Sequence, residues 1–106
     1  MDISCSTGFE GGRITLKGEL DHHASLEAIR KAGEFIEEFK PGEVTVDMSG
    51  VGFMDSSGIA FLFSAMRRVK LYGGRLRVKG LNAQCRRILT SAGIAGLLNI
   101  GEERYI

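Results

Sequence analysis

Phe53-Met54-Asp55-Ser56-Ser57-Gly58 separates two opposite periodicities. Upstream, Glu43-Val44-Thr45-Val46-Asp47-Met48 alternates polar and apolar side chains, the period of a strand with one buried face. Downstream, Ile59, Leu62, Met66 and Val69 recur at helical spacing until Gly73-Gly74 ends the pattern. The six residues between are a strand-to-helix connection. An acid followed by two small hydroxyls suits a helix start, and the spacing predicts a helix over 57–72.

The same grammar extends in both directions. Arg13-Ile14-Thr15-Leu16-Lys17 and Arg75-Leu76-Arg77-Val78-Lys79 alternate like residues 43–48. Ile3-Ser4-Cys5-Ser6 is expected to pair with the first of these as a hairpin, with Gly11-Gly12 in the turn. A helix is predicted over 24–39, with Leu26, Ile29, Ala32, Ile36 and Phe39 as its apolar stripe, Asp21 as N-cap and Pro41-Gly42 beyond its end. A third helix begins near Asn82, carries Cys85, Ile88, Leu89 and Ala92, and stops at Gly93. Leu97-Leu98-Asn99-Ile100 is expected to close the core.

The element order is therefore β-β-α-β-α-β-α followed by a tail. Strands buried on both faces read as continuous apolar runs, and these do not. The expectation is an α/β fold: a mixed β-sheet of about four strands with helices mainly on one face. Its length of 106 residues, with 43% hydrophobic and 25% charged side chains, is that of one globular domain spanning 1–106.

Composition also excludes several functions. The longest nearly apolar run, Ile59–Met66, falls short of the roughly 18 residues a membrane span needs. The first residues lack the pattern of a secretory signal, so Cys5 and Cys85 are expected to be reduced thiols of a cytoplasmic protein. Charge is uneven: residues 1–65 hold 5 basic and 11 acidic side chains, a net −6, and residues 66–106 hold 9 and 2, a net +7. The overall +1 and the absence of aromatics interleaved with the basic residues argue against direct nucleic-acid binding. Arg75, Arg77 and Lys79 read equally well as one wet sheet face.

For the serines two readings stand side by side. Ser56 or Ser57 can act only as an N-cap, accepting a backbone N–H of the following helix. Alternatively, free N–H groups and the helix dipole favour an anion there, such as a phosphoryl group on Ser56. A catalytic serine is not expected. The Gly-x-Ser-x-Gly elbow lacks its first glycine, and only His22 and His23 could serve as base. Asp21 with the adjacent histidines lacks the spacing of a metal site. No phosphate loop or dinucleotide fingerprint occurs, so no cofactor is expected. Cys85 reads as core.

Gly18-Glu19-Leu20-Asp21-His22-His23 together with Phe53-Met54-Asp55-Ser56-Ser57-Gly58-Ile59 resembles the bacterial anti-sigma factor antagonists, which are single STAS domains. Tyr72-Gly73-Gly74 and Ser91-Ala92-Gly93-Ile94 extend the resemblance over essentially the whole chain, nearest to the sporulation-type antagonists. The resemblance implies a binding protein, not an enzyme, that works by partner switching. Its unmodified form would hold a kinase-type anti-sigma factor and free the sigma factor. That kinase would phosphorylate Ser56, releasing itself, and a metal-dependent serine phosphatase would reset the switch. Asp21, His22, Asp55, Ser57 and Gly58 would form the partner-binding surface around Ser56. STAS domains with other outputs, in stress complexes, secretion or lipid transport, are the alternative that the resemblance leaves open.

Overall fold

The computed structural model describes residues 1–93. Among them the chain runs β1 (Asp2–Gly8), β2 (Gly11–Leu20), α1 (His22–Phe39), β3 (Glu43–Met54), α2 (Ser57–Leu71), β4 (Arg75–Lys79) and α3 (Ala83–Ser91). The four strands form one sheet in the order β1-β2-β3-β4. β1 and β2 are antiparallel, and β2, β3 and β4 are parallel, so the sheet is mixed as expected. The expected segment Leu97–Ile100 lies outside the described residues.

Register explains the alternation in the sequence. Ile14, Val46 and Val78 stand side by side across three strands and are buried. One residue earlier on each strand, Arg13, Thr45 and Arg77 form a row on the opposite face, which Ser6 continues onto β1. Arg13 pairs with Asp47 at 2.7 Å on that polar face, and Arg75 pairs with Glu43. Arg75–Glu43 and the Arg68–Glu37 pair join the basic and acidic parts of the chain.

α1 and α2 pack against each other, α1 over β1 and β2 and α2 over β3 and β4. Phe61, Leu62 and Val69 of α2 are fully buried, each contributing roughly 1.5–3 kcal/mol by removal from water. α3 adds Cys85 and Leu89 to the same core, and burial pushes the Cys85 thiol up.

Three details differ from expectation. The hairpin turn is Phe9-Glu10, with Gly11 and Gly12 already in β2. β3 continues beyond Met48 to Met54, across an irregularity opposite Leu16. On α1 the buried residues are Ala24, Ser25, Ala28, Ala32, Gly33, Phe35 and Ile36, whereas Leu26 and Phe39 are about half exposed. The stripe is rotated toward small side chains because α2 crosses close by: a Cβ on Gly33 would lie 3.4 Å from the Arg68 guanidinium.

Candidate functional site

Three parallel strands that each lead into a helix must start all three helices at the same edge of the sheet. β2 leads into α1, β3 into α2, and β4 through Gly80 and Leu81 into α3. Leu20 and Met54, the last residues of β2 and β3, are register partners, and the Asp55 N–H donates to the Leu20 carbonyl at 3.3 Å. The residues that follow, Asp21 and Asp55, therefore leave neighbouring strands together. A register shift between Gly18 and Glu19, with Gly18 at φ 115°, brings the end of β2 into this alignment. That positive φ is one glycine adopts readily.

Asp21 caps α1: its Oδ1 accepts the Ala24 N–H at 2.9 Å. At α2 the cap is unexpected. Ser56 has helical backbone angles, φ −62° and ψ −17°, and its side chain makes no capping bond. Asp55 does this work, its Oδ1 accepting the Ser57 N–H at 2.8 Å. The next two N–H groups, of Gly58 and Ile59, donate to the carbonyls of Asp55 and Ser56 at 3.0 and 3.1 Å. The serine-cap reading is thus replaced by an aspartate cap. The N–H groups of Ser57, Gly58 and Ile59 are engaged, and the anion at this helix end is the Asp55 carboxylate itself.

The two serines differ in their surroundings. Ser57 is half-buried, and its Oγ lies 3.3 Å from His22 Nδ1, a contact that ties the starts of α1 and α2. Ser56 is exposed, with its hydroxyl given to no cap. The structure thus brings Asp21, His22, Asp55, Ser56 and Ser57 to one edge. His23 is exposed beside them and lines a shallow hollow with Glu19, Asp21 and Glu27. Among the described residues no group of three or more His, Cys, Asp or Glu is placed to hold a metal ion.

Gly58 is buried under this edge. A Cβ there would stand 2.3 Å from Met54 Cγ and 3.2 Å from Leu20 Cδ2, so glycine is what lets α2 close onto the ends of β2 and β3. Leu26, one turn beyond His22 on α1 and expected in its buried stripe, and Phe53, two residues before Asp55, are exposed apolar side chains at this edge. Their signal is exposure, which periodicity does not report.

α3 completes the edge. The β3–β4 pairing ends at Asp47 and Lys79, yet β3 continues for seven more residues to Met54. Two side-chain amides from the start of α3 serve that stretch. Asn82 Nδ2 donates to the carbonyls of Val51 and Gly52 at 3.2 and 3.1 Å, while its Oδ1 caps α3 through the Cys85 N–H. Gln84 Nε2 donates to the Met54 carbonyl at 2.7 Å, and the Met54 N–H donates to Gln84 Oε1 at 3.0 Å.

This topology and sheet edge define a STAS domain. The sequence profile described as "Mlab, STAS domain" matches residues 3–99, and the chain belongs to that family. Among its relatives, an anti-sigma F factor antagonist of Paenibacillus polymyxa is 28% identical over 87 residues, 82% of this chain and 74% of its own length. The phosphorylated form of SpoIIAA, a Bacillus cell fate determinant, superimposes with a TM-score of 0.70 at 25% identity, covering 90% of this chain and 86% of the other. An anti-sigma factor antagonist from Mycobacterium paratuberculosis shares the fold, with a TM-score of 0.80 at 18% identity over 92% of this chain and 81% of its own. Among the described residues no helix is long and apolar enough to cross a membrane.

Proposed function

We propose that this protein is an anti-sigma factor antagonist that acts in the cytoplasm by partner switching, as a ligand and kinase substrate rather than an enzyme. The observation that carries the reading is the contrast between the serines. Ser56 is exposed with a hydroxyl free of capping duty, while Ser57 is held by His22. The names of the relatives, and a related structure determined in its phosphorylated form, support the same reading.

In the unmodified state Asp21, His22, Asp55, Ser56 and Ser57 form the surface that meets a kinase-type anti-sigma factor. Gly58 contributes through the close packing it permits. Carboxylates at this edge suit arginines or lysines on the partner. The kinase then transfers the γ-phosphoryl group of ATP to Ser56 Oγ, and the hydroxyl proton leaves as ADP is formed. The new group carries about −1.5 to −2 charges. The nearest N–H groups of α2 are already bonded, so the phosphate stays at the surface beside the Asp55 carboxylate. There it repels and sterically blocks the partner. A metal-dependent serine phosphatase removes it and resets the switch.

The test is to incubate the protein with ATP and kinase-type anti-sigma factors from its own genome, then measure intact mass and map the site. One phosphate on Ser56, absent from Ser56→Ala, supports the switch. Failure of every candidate to modify the protein, with tight capture of a transporter or stress-complex subunit instead, overturns it.

A further inference from the structure

We propose that Gln84, on α3, is a positioning residue for Ser56. Its side-chain amide takes the place of a missing strand and holds the segment that presents the serine. The proposal rests on the reading of Ser56 as the phosphorylated residue.

The need for such a residue follows from strand lengths. β4 has 5 residues and β3 has 12, so the end of β3 outruns its neighbour. On the β2 side this end is secured, because the Asp55 N–H reaches Leu20. Met54 presents both its N–H and its carbonyl to α3, as a residue in a sheet presents both groups to the next strand. A partner there must donate and accept at once across a short span. A primary amide does so, and Gln84 makes both bonds, at 2.7 and 3.0 Å.

Two consequences give the contact its reach. The Met54 side chain is fully buried against Leu20 and Gly58, so fixing its backbone fixes the close packing beneath α2. Ser56 also lies two residues beyond Met54, with Asp55 bonded on both sides of the turn. Releasing the Met54 backbone therefore loosens the connection that aims the Ser56 hydroxyl. Phosphoryl transfer depends steeply on the placement of the attacking oxygen. Asn82, bonding the strand two and three residues before Met54, holds the start of α3 in place for this.

Gln84→Glu separates a donor–acceptor clamp from simple space filling. The carboxylate keeps the shape but sets a charged acceptor against the Met54 carbonyl, and this repulsion drives the side chain off the Met54 backbone, N–H included. Protonation near or below the usual glutamate pKa of about 4.3 restores a donor.

The experiment compares wild type, Gln84→Ala, Gln84→Glu and, as a control on the exposed side of α3, Arg87→Ala. Amide hydrogen exchange is followed by NMR, and phosphorylation by the kinase-type anti-sigma factor by steady-state kinetics. In Gln84→Ala the Met54 amide should exchange about tenfold faster, the equivalent of one lost net hydrogen bond, while Ile14 and Val46 stay protected. For phosphorylation, kcat/KM should fall on the order of tenfold. Gln84→Glu should expose the Met54 amide at pH 7 and recover protection toward pH 4, and Arg87→Ala should match wild type in both readouts. Unchanged exchange at Met54, or normal phosphorylation kinetics despite rapid exchange, overturns the positioning role. If wild type itself gains no phosphate on Ser56, the functional reading falls, and exchange at Met54 still decides whether the amide clamps the strand.

Discussion

Met54 fills the space that a side chain at residue 58 would need: a Cβ on Gly58 would lie 2.3 Å from Met54 Cγ and 2.4 Å from its Sδ. The glycine that follows the two serines therefore ties the candidate site to the core. It lets the first turn of α2 rest directly on the last residue of β3, which fixes how far Ser56 projects.

Gly58→Ala should consequently destabilise the protein by about 1–3 kcal/mol through overpacking, reduced by up to about 1 kcal/mol from the better helix propensity of alanine. Met54→Ala alone should cost roughly 2–5 kcal/mol by leaving a cavity. The double variant should be more stable than the sum of the two losses, because each change relieves the other. Urea denaturation of the four proteins measures the coupling, and strict additivity would show that Met54 does not set the requirement for glycine.

Ser25 makes a second core test. Its side chain is buried on α1, and among the described residues its hydroxyl has no hydrogen-bond partner. Removing an unsatisfied buried hydroxyl should cost nothing, and alanine is the better helix former. Ser25→Ala is expected to be neutral or to stabilise by up to about 1 kcal/mol. A clear loss in thermal unfolding would mean that the hydroxyl is satisfied by bound water.

These details mark where the sequence was informative. The strands, their order and the caps at Asp21 and Asn82 were legible because each is written in local alternation or a single capping residue. The α1 stripe was not. Hydropathy ranks Leu26 and Phe39 above Ala28 and Gly33, but a close helix crossing selects for size, and the small residues went inside. The identity of the α2 cap escaped as well. Asp55, Ser56 and Ser57 are all capping residue types, and only backbone angles separate them. Gln84 carried no signal, because its role exists only where β4 stops short of the end of β3.

Asp47 provides a pH-dependent prediction. Partial burial raises its pKa, but the Ser49 hydroxyl and N–H and the Arg13 guanidinium outweigh this and hold the carboxyl below its ordinary value of 3.8. A depressed folded pKa contributes stability that is present above 3.8 and is lost as pH falls through the folded value. Asp47→Asn keeps an acceptor for Ser49 and abolishes the titration. Urea midpoints at pH 7 and pH 3 should differ less for Asp47→Asn than for wild type. An equal or larger difference in the variant would mean that Asp47 does not contribute to acid sensitivity.

The division of labour between Asp55 and Ser56 can be separated by measuring stability and binding on the same variants. Asp55 caps α2, so Asp55→Ala should cost about 1 kcal/mol in urea unfolding. The Ser56 side chain caps nothing, so Ser56→Ala and Ser56→Asp should each stay within about 0.5 kcal/mol of wild type. Binding should sort them differently. Ser56→Ala should hold the kinase-type anti-sigma factor in the presence of ATP, since it cannot be modified. Ser56→Asp should bind at least about tenfold more weakly, because a third carboxylate joins Asp21 and Asp55 at the edge and clashes with the partner as a phosphate would. Raising the salt concentration should narrow the gap between the two variants if charge drives it. Calorimetric titration at two ionic strengths reads both effects. Equal affinities for Ser56→Ala and Ser56→Asp would remove charge as the basis of the switch and leave the bulk of the phosphate as its only means of expelling the partner.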